Sequence, residues 1–223
     1  MKTVTVKGVG KASAPVDTVE LNFRLWAKDK EYDKALEAAD RKVTSLEAAL
    51  TAAGFDAAEF QTAGFHVNTE YESVCDERGN YRSVFSGYNC SYDQLLRFSF
   101  DAARLGDALG AVAESRAQPE LQVRFTVREP EKLEAELLRS AAASARARAE
   151  ILAEASGKKL GELQRIDYDV TRLNFYSDTG MEMADCMPQM VVSGAGMAKR
   201  SFAALRPQDV ELQDTAVFVW ELT

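Results

Sequence analysis

Residues 133–157, "LEAELLRSAAASARARAEILAEASG", constrain this chain more than any other stretch. Pro130 suits the first turn of a helix, Glu131 and Glu134 suit its positive end, and Gly157 closes it. Some 27 residues at the α-helical rise make a rod of roughly 40 Å. Stepping 100° per residue from Leu133, one half of the wheel holds Leu137, Leu138, Ala141, Ala142, Ala145, Ala149, Ile151 and Leu152. Arg139, Arg146, Glu150 and Glu154 fill the other half. After two turns the apolar half is largely alanine, so its partner must approach the helix backbone closely. A sheet or a second helix meets that demand. Arg148 falls inside the apolar half, where a charge needs a carboxylate, an exposed seam or a path for its stem to water. Ala142, Ala145, Arg148 and Ala149 are therefore the candidate contact residues, between subunits as well as within one.

The rest of the chain reads as strands around two helices. Strands are expected at 3–7, ended by Gly8 and Gly10, and at 16–26, where Val19, Leu21, Phe23 and Leu25 share a face. A helix over 32–53 follows from Tyr32, Leu36, Ala39, Val43, Leu46, Leu50 and Ala53, with Gly54 in the C′ position. Strands at 60–74 and 82–100 flank the turn-like "DERGN". A short helix near 104–115 and strands at 121–128 and 163–173 come next, then a Met-rich loop at about 174–208 and a last strand at 209–222. Each half runs strand, long helix, glycine stop, strand, strand. The expectation is an α+β fold of two β-α-β-β lobes, 1–102 and 103–223, each a mainly antiparallel sheet with a long helix on one face. Terminal strands can be exchanged between the lobes.

Charge and cysteine usage remove several functions. The 223 residues carry 27 Lys and Arg against 35 Asp and Glu, a net charge of −8, which disfavours nucleic acid as a partner. No stretch reaches the roughly 20 apolar residues of a membrane span. The opening "MKTVTVKGVGKA" alternates as a strand does and has no apolar signal region, so a cytoplasmic location is expected, or the cell envelope if a leader has been removed ahead of Met1. Cys75, Cys90 and Cys186 form no CxxC pair, which fits reduced thiols.

Catalytic patterns are sparse. His66 is the sole histidine and points outward by strand alternation. It therefore supports neither a two-histidine site nor most zinc sites. Glu70 and Glu72 share a strand face and could flank a substrate, although solvated edge charges are the simpler reading. "SGAGMAKRS" lacks the spacing of a phosphate loop, and "VKGVGKAS" lacks the third glycine of a dinucleotide fingerprint. No catalytic residue and no cofactor is assigned. The small-molecule ligand, if any, is unassigned too. Apart from Met1, every methionine lies at 181–197, with Cys186 among them. Met183, Cys186, Met187 and Met190 have the soft donors that suit Cu(I), and they are readily oxidised. Methionine is equally the adaptable filler of contact surfaces.

Four segments in order resemble the SIMPL-domain family, a mostly bacterial group of unknown function. "VKGVGKASAPVDTVEL" resembles its V-x-G-x-G opening through Val6, Gly8, Gly10, Pro15 and Asp17. "GFDAAEFQTAGFHVNTEY" is similar to a second motif through Gly54, Thr62, Phe65, Val67 and Tyr71, and "GYNCSYDQLLRFSF" to a third through Gly87 and Tyr88. The alanine-rich helix resembles a fourth through Arg139, Ala142, Ala145, Arg146, Ala149, Glu150, Leu152, Ala153, Gly157, Leu160 and Gly161. Ser144, Arg148 and Gln208 depart from its usual residues. The resemblance implies two α/β lobes and, in some members, ring-like oligomers with links to oxidative-stress defence and the cell envelope. It supplies no catalytic residues.

Two functions remain in view. One is a non-enzymatic, self-assembling homo-oligomer connected with stress defence. The alternative is a redox-responsive or Cu(I)-binding protein that uses the Met/Cys loop. It predicts Cu(I) uptake that disappears when Met183, Met187 and Met190 become Leu and Cys186 becomes Ser. Competition against a Cu(I) chelator checks it, and no uptake by the native chain removes it.

Overall fold

The computed structural model describes residues 2–75, 79–169, 172–183 and 204–223. The elements in order are β1 (Lys2–Ala14), β2 (Thr18–Asp29), α1 (Tyr32–Ala52), a 3-10 turn (Ala57–Glu59), β3 (Phe60–Cys75) and β4 (Tyr81–Ser99). Then follow α2 (Ala102–Glu114), β5 (Glu120–Thr126), α3 (Pro130–Ala155), β6 (Leu160–Asp167), β7 (Tyr176–Met183) and β8 (Val210–Leu222). The fold is α+β, with antiparallel sheets ordered β1-β8-β6 and β3-β4-β2-β5-β7.

The contacts divide the chain differently from a cut at 102/103. One compact unit comprises Met1–Asp17, Thr126–Asp178 and Pro207–Thr223, and the other Thr18–Phe125 and Thr179–Arg206, taken over their described residues. The reason is strand pairing: β1 lies along β8 over its whole length, from Lys2 opposite Leu222 to Ala14 opposite Val210.

In the first unit α3 covers the three-stranded sheet. Its buried residues are Leu133, Leu137, Ala141, Ala145, Ala149 and Ala153, a strict four-residue repeat. That repeat follows one inclined ridge of the helix, which suits a rod laid across a twisted sheet. The buried strip is consequently narrower than half a wheel. Leu138, Ala142, Ile151 and Leu152, expected inside, are exposed. Gly8 and Gly10 lie within β1 and do not end it as expected. A Cβ on Gly8 would stand 2.3 Å from the Ala141 carbonyl oxygen, and one on Gly10 2.3 Å from that of Leu137. The two glycines let the alanine strip settle onto the strand backbone.

Two side chains of α3 then reach the edge of β1. The Lys11 N–H donates to Ser140 Oγ at 3.1 Å, and Arg148 Nη1 donates to the Lys7 carbonyl at 2.9 Å. Arg148 thus meets a backbone carbonyl, not a carboxylate. The helix ends where Gly157 adopts φ 68° and the Lys158 N–H donates to the Ala153 carbonyl. The left-handed glycine and that six-residue closure satisfy the last carbonyls. Gly54, at φ 93°, closes α1 in the same way, with the Phe55 N–H on Leu50.

In the second unit α1 covers one face of the five-stranded sheet. Val19, Leu21, Phe23, Leu25 and Ala27 of β2 are buried, and Ala27 packs with Cys90, Ala35 and Ala39. Arg104 of α2 clamps the start of β3: its Nη2 donates to both Glu59 oxygens at 2.8 Å. Its guanidinium carbon lies 4.9 and 5.1 Å from the Phe55 and Phe98 ring centres. β6 spans 160–167 where 163–173 was expected, and β7 occupies part of the stretch expected to be irregular.

Candidate functional site

The helix-covered face of the five-stranded sheet extends past the helix that covers it. β2 pairs with β4 from Thr18 opposite Ser99 to Asp29 opposite Tyr88 and ends there. β3 and β4 run on together as a two-stranded ribbon, Tyr71–Cys75 against Tyr81–Phe85. Opposite Glu70 the strand β4 carries one extra residue, Ser86, beside Gly87 at φ 154°. A Cβ on Gly87 would meet the Asp29 carbonyl oxygen at 2.5 Å, so the bulge requires glycine there.

Strand alternation puts Tyr71, Ser73 and Cys75 on the same face as Val67, which packs under α1. Ring contacts trace this face outward from the start of α1. Tyr32 meets Tyr88 at 5.7 Å, Tyr88 meets Phe85 at 5.3 Å, and Phe85 meets Tyr71 at 6.0 Å. Beyond the helix the rings are uncovered: Tyr71 is 61% exposed, Tyr81 74% and Phe85 44%. Val74 and Val84 on the reverse of the ribbon are exposed as well. A two-stranded ribbon with apolar side chains on both faces has no core of its own.

Under α1 the polar groups are paired. The Tyr92 hydroxyl donates to Asp40 Oδ1 at 2.6 Å. That bond, then burial and the Asp40 charge, push the phenol up to about 12. Burial, reinforced by Asp40, raises the Cys90 thiol. Because the folded phenol titrates above the ordinary value near 10, its contribution is full below about pH 10. It is lost as pH rises toward about 12. Tyr92→Phe is expected to flatten the alkaline loss of stability and to remove a phenol that titrates near pH 12 from the tyrosinate absorbance curve.

The opposite face carries a cross-strand ladder of charges. Glu20 pairs with Arg97, Arg24 with Asp93 at 2.8 Å, and Lys28 with Glu70 at 2.6 Å. The Asp93 carboxylate, through its hydrogen bond and then its charge, raises Arg24. Asn89 Nδ2 donates to Glu70 at 3.1 Å, and Ser86 Oγ donates to Glu72 at 2.6 Å. Glu70 and Glu72 thus share a face but each is engaged by another side chain, and they do not converge on a common point. His66 is exposed, with Nε2 3.8 Å from Asp93 Oδ2. A shallow open cleft lined by Lys28, Asp29, Lys30, Glu70, Ser86, Gly87 and Tyr88 lies beside the bulge.

The candidate contact residues separate. Ala145 and Ala149 are fully buried against Val6 and Phe218 of their own chain, so they leave no area for a second copy. Ala142 and Arg148 are exposed. Met183 ends β7, its side chain outside the description, and Cys186, Met187 and Met190 lie outside the described residues. Among the described residues no group of three or more His, Cys, Asp or Glu is placed to hold a metal, and no helix is long and apolar enough to cross a membrane. The sequence does not mark the exposed Tyr71, Tyr81 and Phe85 as a group. Folding "DERGN" into a hairpin would have set Tyr71 opposite Phe85.

A comparison with protein families matches residues 4–220 to SIMPL, described as "Protein of unknown function (DUF541)". The chain belongs to the SIMPL family. A comparison with curated proteins found no match. Several of the residues that carry the SIMPL motifs have structural roles in this chain. Gly8 and Gly10 admit α3, and Asp17 Oδ1 accepts the Arg128 N–H at 2.7 Å. Gly87 forms the bulge, and Tyr88 joins the aromatic run of the ribbon.

Proposed function

We propose that this SIMPL protein is a non-enzymatic, self-assembling protein whose copies meet through the β3-β4 ribbon. The observation that carries this reading is the uncovered aromatic face of Tyr71, Tyr81 and Phe85 beyond the start of α1. It continues a buried face, and burying it needs a surface from outside the ribbon. The pairing already present among Lys28, Glu70, Asn89, Ser86 and Glu72 favours a structural role for the charges next to it.

Light scattering at micromolar concentration is expected to give a species several times 24.5 kDa. Tyr71→Ser combined with Phe85→Ser is expected to yield monomer with an unchanged far-ultraviolet spectrum, since both rings are exposed. A native chain that stays monomeric throughout removes the reading.

A further inference from the structure

The assembly reading leaves open which strand edges meet, and the chain treats its edges unequally. The edge of β1 is occupied by Ser140 on the Lys11 N–H and by Arg148 on the Lys7 carbonyl. β6 is broken by register shifts between Leu160 and Leu163 and between Leu163 and Arg165. Such irregularity spoils an edge as a pairing template. β7 has eight residues. β3 has 16, and among the described residues it ends its sheet. From Gly64 to Cys75 it has no bulge, because the residue inserted at Glu70 belongs to β4. It contains no proline, lysine or arginine, the usual blocks on an open edge.

We infer that two copies of this chain join edge to edge along β3, antiparallel about a two-fold axis at Asn68. This rests on the assembly reading and names its contact. Self-complementarity identifies a second copy as the occupant. With the axis at Asn68, Phe65 of one copy faces Tyr71 of the other, and His66 faces Glu70, each twice. Both rings of the first pair are exposed at 44% and 61%. The joint would extend the contact of Phe65 with Tyr92, at 4.7 Å, into that of Tyr71 with Phe85.

On the opposite face His66 has Asp93 beside it, with Arg24 on that carboxylate, and Glu70 has Lys28 and Asn89. Glu72 faces Gly64, so no carboxylate stands opposite another. Moving the axis to Val67 sets Glu70 against Gly64 and Phe65 against Thr69. Moving it to Thr69 sets Phe65 against Ser73. Only the Asn68 axis matches ring to ring and imidazole to carboxylate together, and such cross-strand pairs are what hold strands in register.

The test uses the full chain with Cys75→Ser and Cys186→Ser. Asn68→Cys places thiols on the axis, where the paired Cα atoms of an antiparallel ladder fall within disulfide range in either pair type. Oxidation is expected to give a covalent dimer, and the control Glu72→Cys, far from its own copy in this register, is not. His66→Glu sets a carboxylate against Glu70 and is expected to weaken the dimer at least tenfold. Adding Glu70→Lys is expected to restore it. An assembled protein whose Asn68→Cys thiols fail to cross-link, or react quickly with a maleimide, overturns the β3 joint and leaves the assembly reading standing. Monomer at every concentration overturns both.

Discussion

Gly8→Ala is expected to cost about 3 kcal/mol of stability, seen as a fall in thermal midpoint of roughly 6–12 °C. The new methyl would sit 2.3 Å from the Ala141 carbonyl oxygen and 2.8 Å from the Ala145 Cβ. Neither can turn away, because one is helix backbone and the other is a Cβ. α3 must lift, and lifting it loosens Val6, Ala145, Ala149 and Phe218 together. Gly10→Ala repeats the insult one pleat along, 2.3 Å from the Leu137 carbonyl oxygen, and the two changes combined are expected to prevent the first unit from folding. Adding Ala145→Gly to Gly8→Ala relieves only the 2.8 Å contact, so less than half the loss should return. Gly110→Ala is the control. It lies in α2 with nothing within 4 Å of its Cβ, and it is expected to raise stability by up to about 1 kcal/mol. Full recovery with Ala145→Gly would place the strain in side chains and contradict backbone contact as its cause.

Arg104→Ala should have the next largest effect, about 3 kcal/mol from the forked ion pair and the ring contacts together. The guanidinium spans Glu59, Phe55 and Phe98, and so ties the exit of α1, the 3-10 turn and β4 to the start of α2. Its own N–H is held by Asp101 Oδ1 at 2.8 Å, the N-cap of that helix. Arg104→Lys keeps the charge but loses the fork and the flat stacking surface, so about half the loss should remain. Chemical unfolding of the three proteins checks the order. Equal stability of the lysine variant and the native chain would mean that charge alone matters at this position.

The helices were legible because their apolar spacing and their closing glycines act locally. Gly54 and Gly157 stop α1 and α3 for reasons contained in a few neighbouring residues. Gly8 and Gly10 look like stops in the sequence because their purpose lies some 130 residues away, at Ala141 and Leu137. β7, "YSDTGMEM", has no apolar alternation, and sheet hydrogen bonding decides its conformation. By periodicity alone the apolar side of α3 spans half a wheel; contact with a single sheet narrows it to one four-residue ridge. For the candidate site, each aromatic residue of the ribbon was visible, but their grouping required the pairing of Tyr71 with Phe85. The overhang was beyond the sequence altogether, since it depends on where β2 stops.

Lys2 pairs with Leu222. On a ribosome β1 would therefore emerge and wait for about 200 further residues before its partner left the exit tunnel. Until then the strand that α3 packs against most closely, glycines included, would have no hydrogen-bonded neighbour in its sheet. This unit can be completed only once Val210–Leu222 has left the exit tunnel, whereas α1 and the hairpin beside it can form earlier in synthesis. A nascent chain stalled anywhere before residue 210 should consequently offer β1 to chaperones.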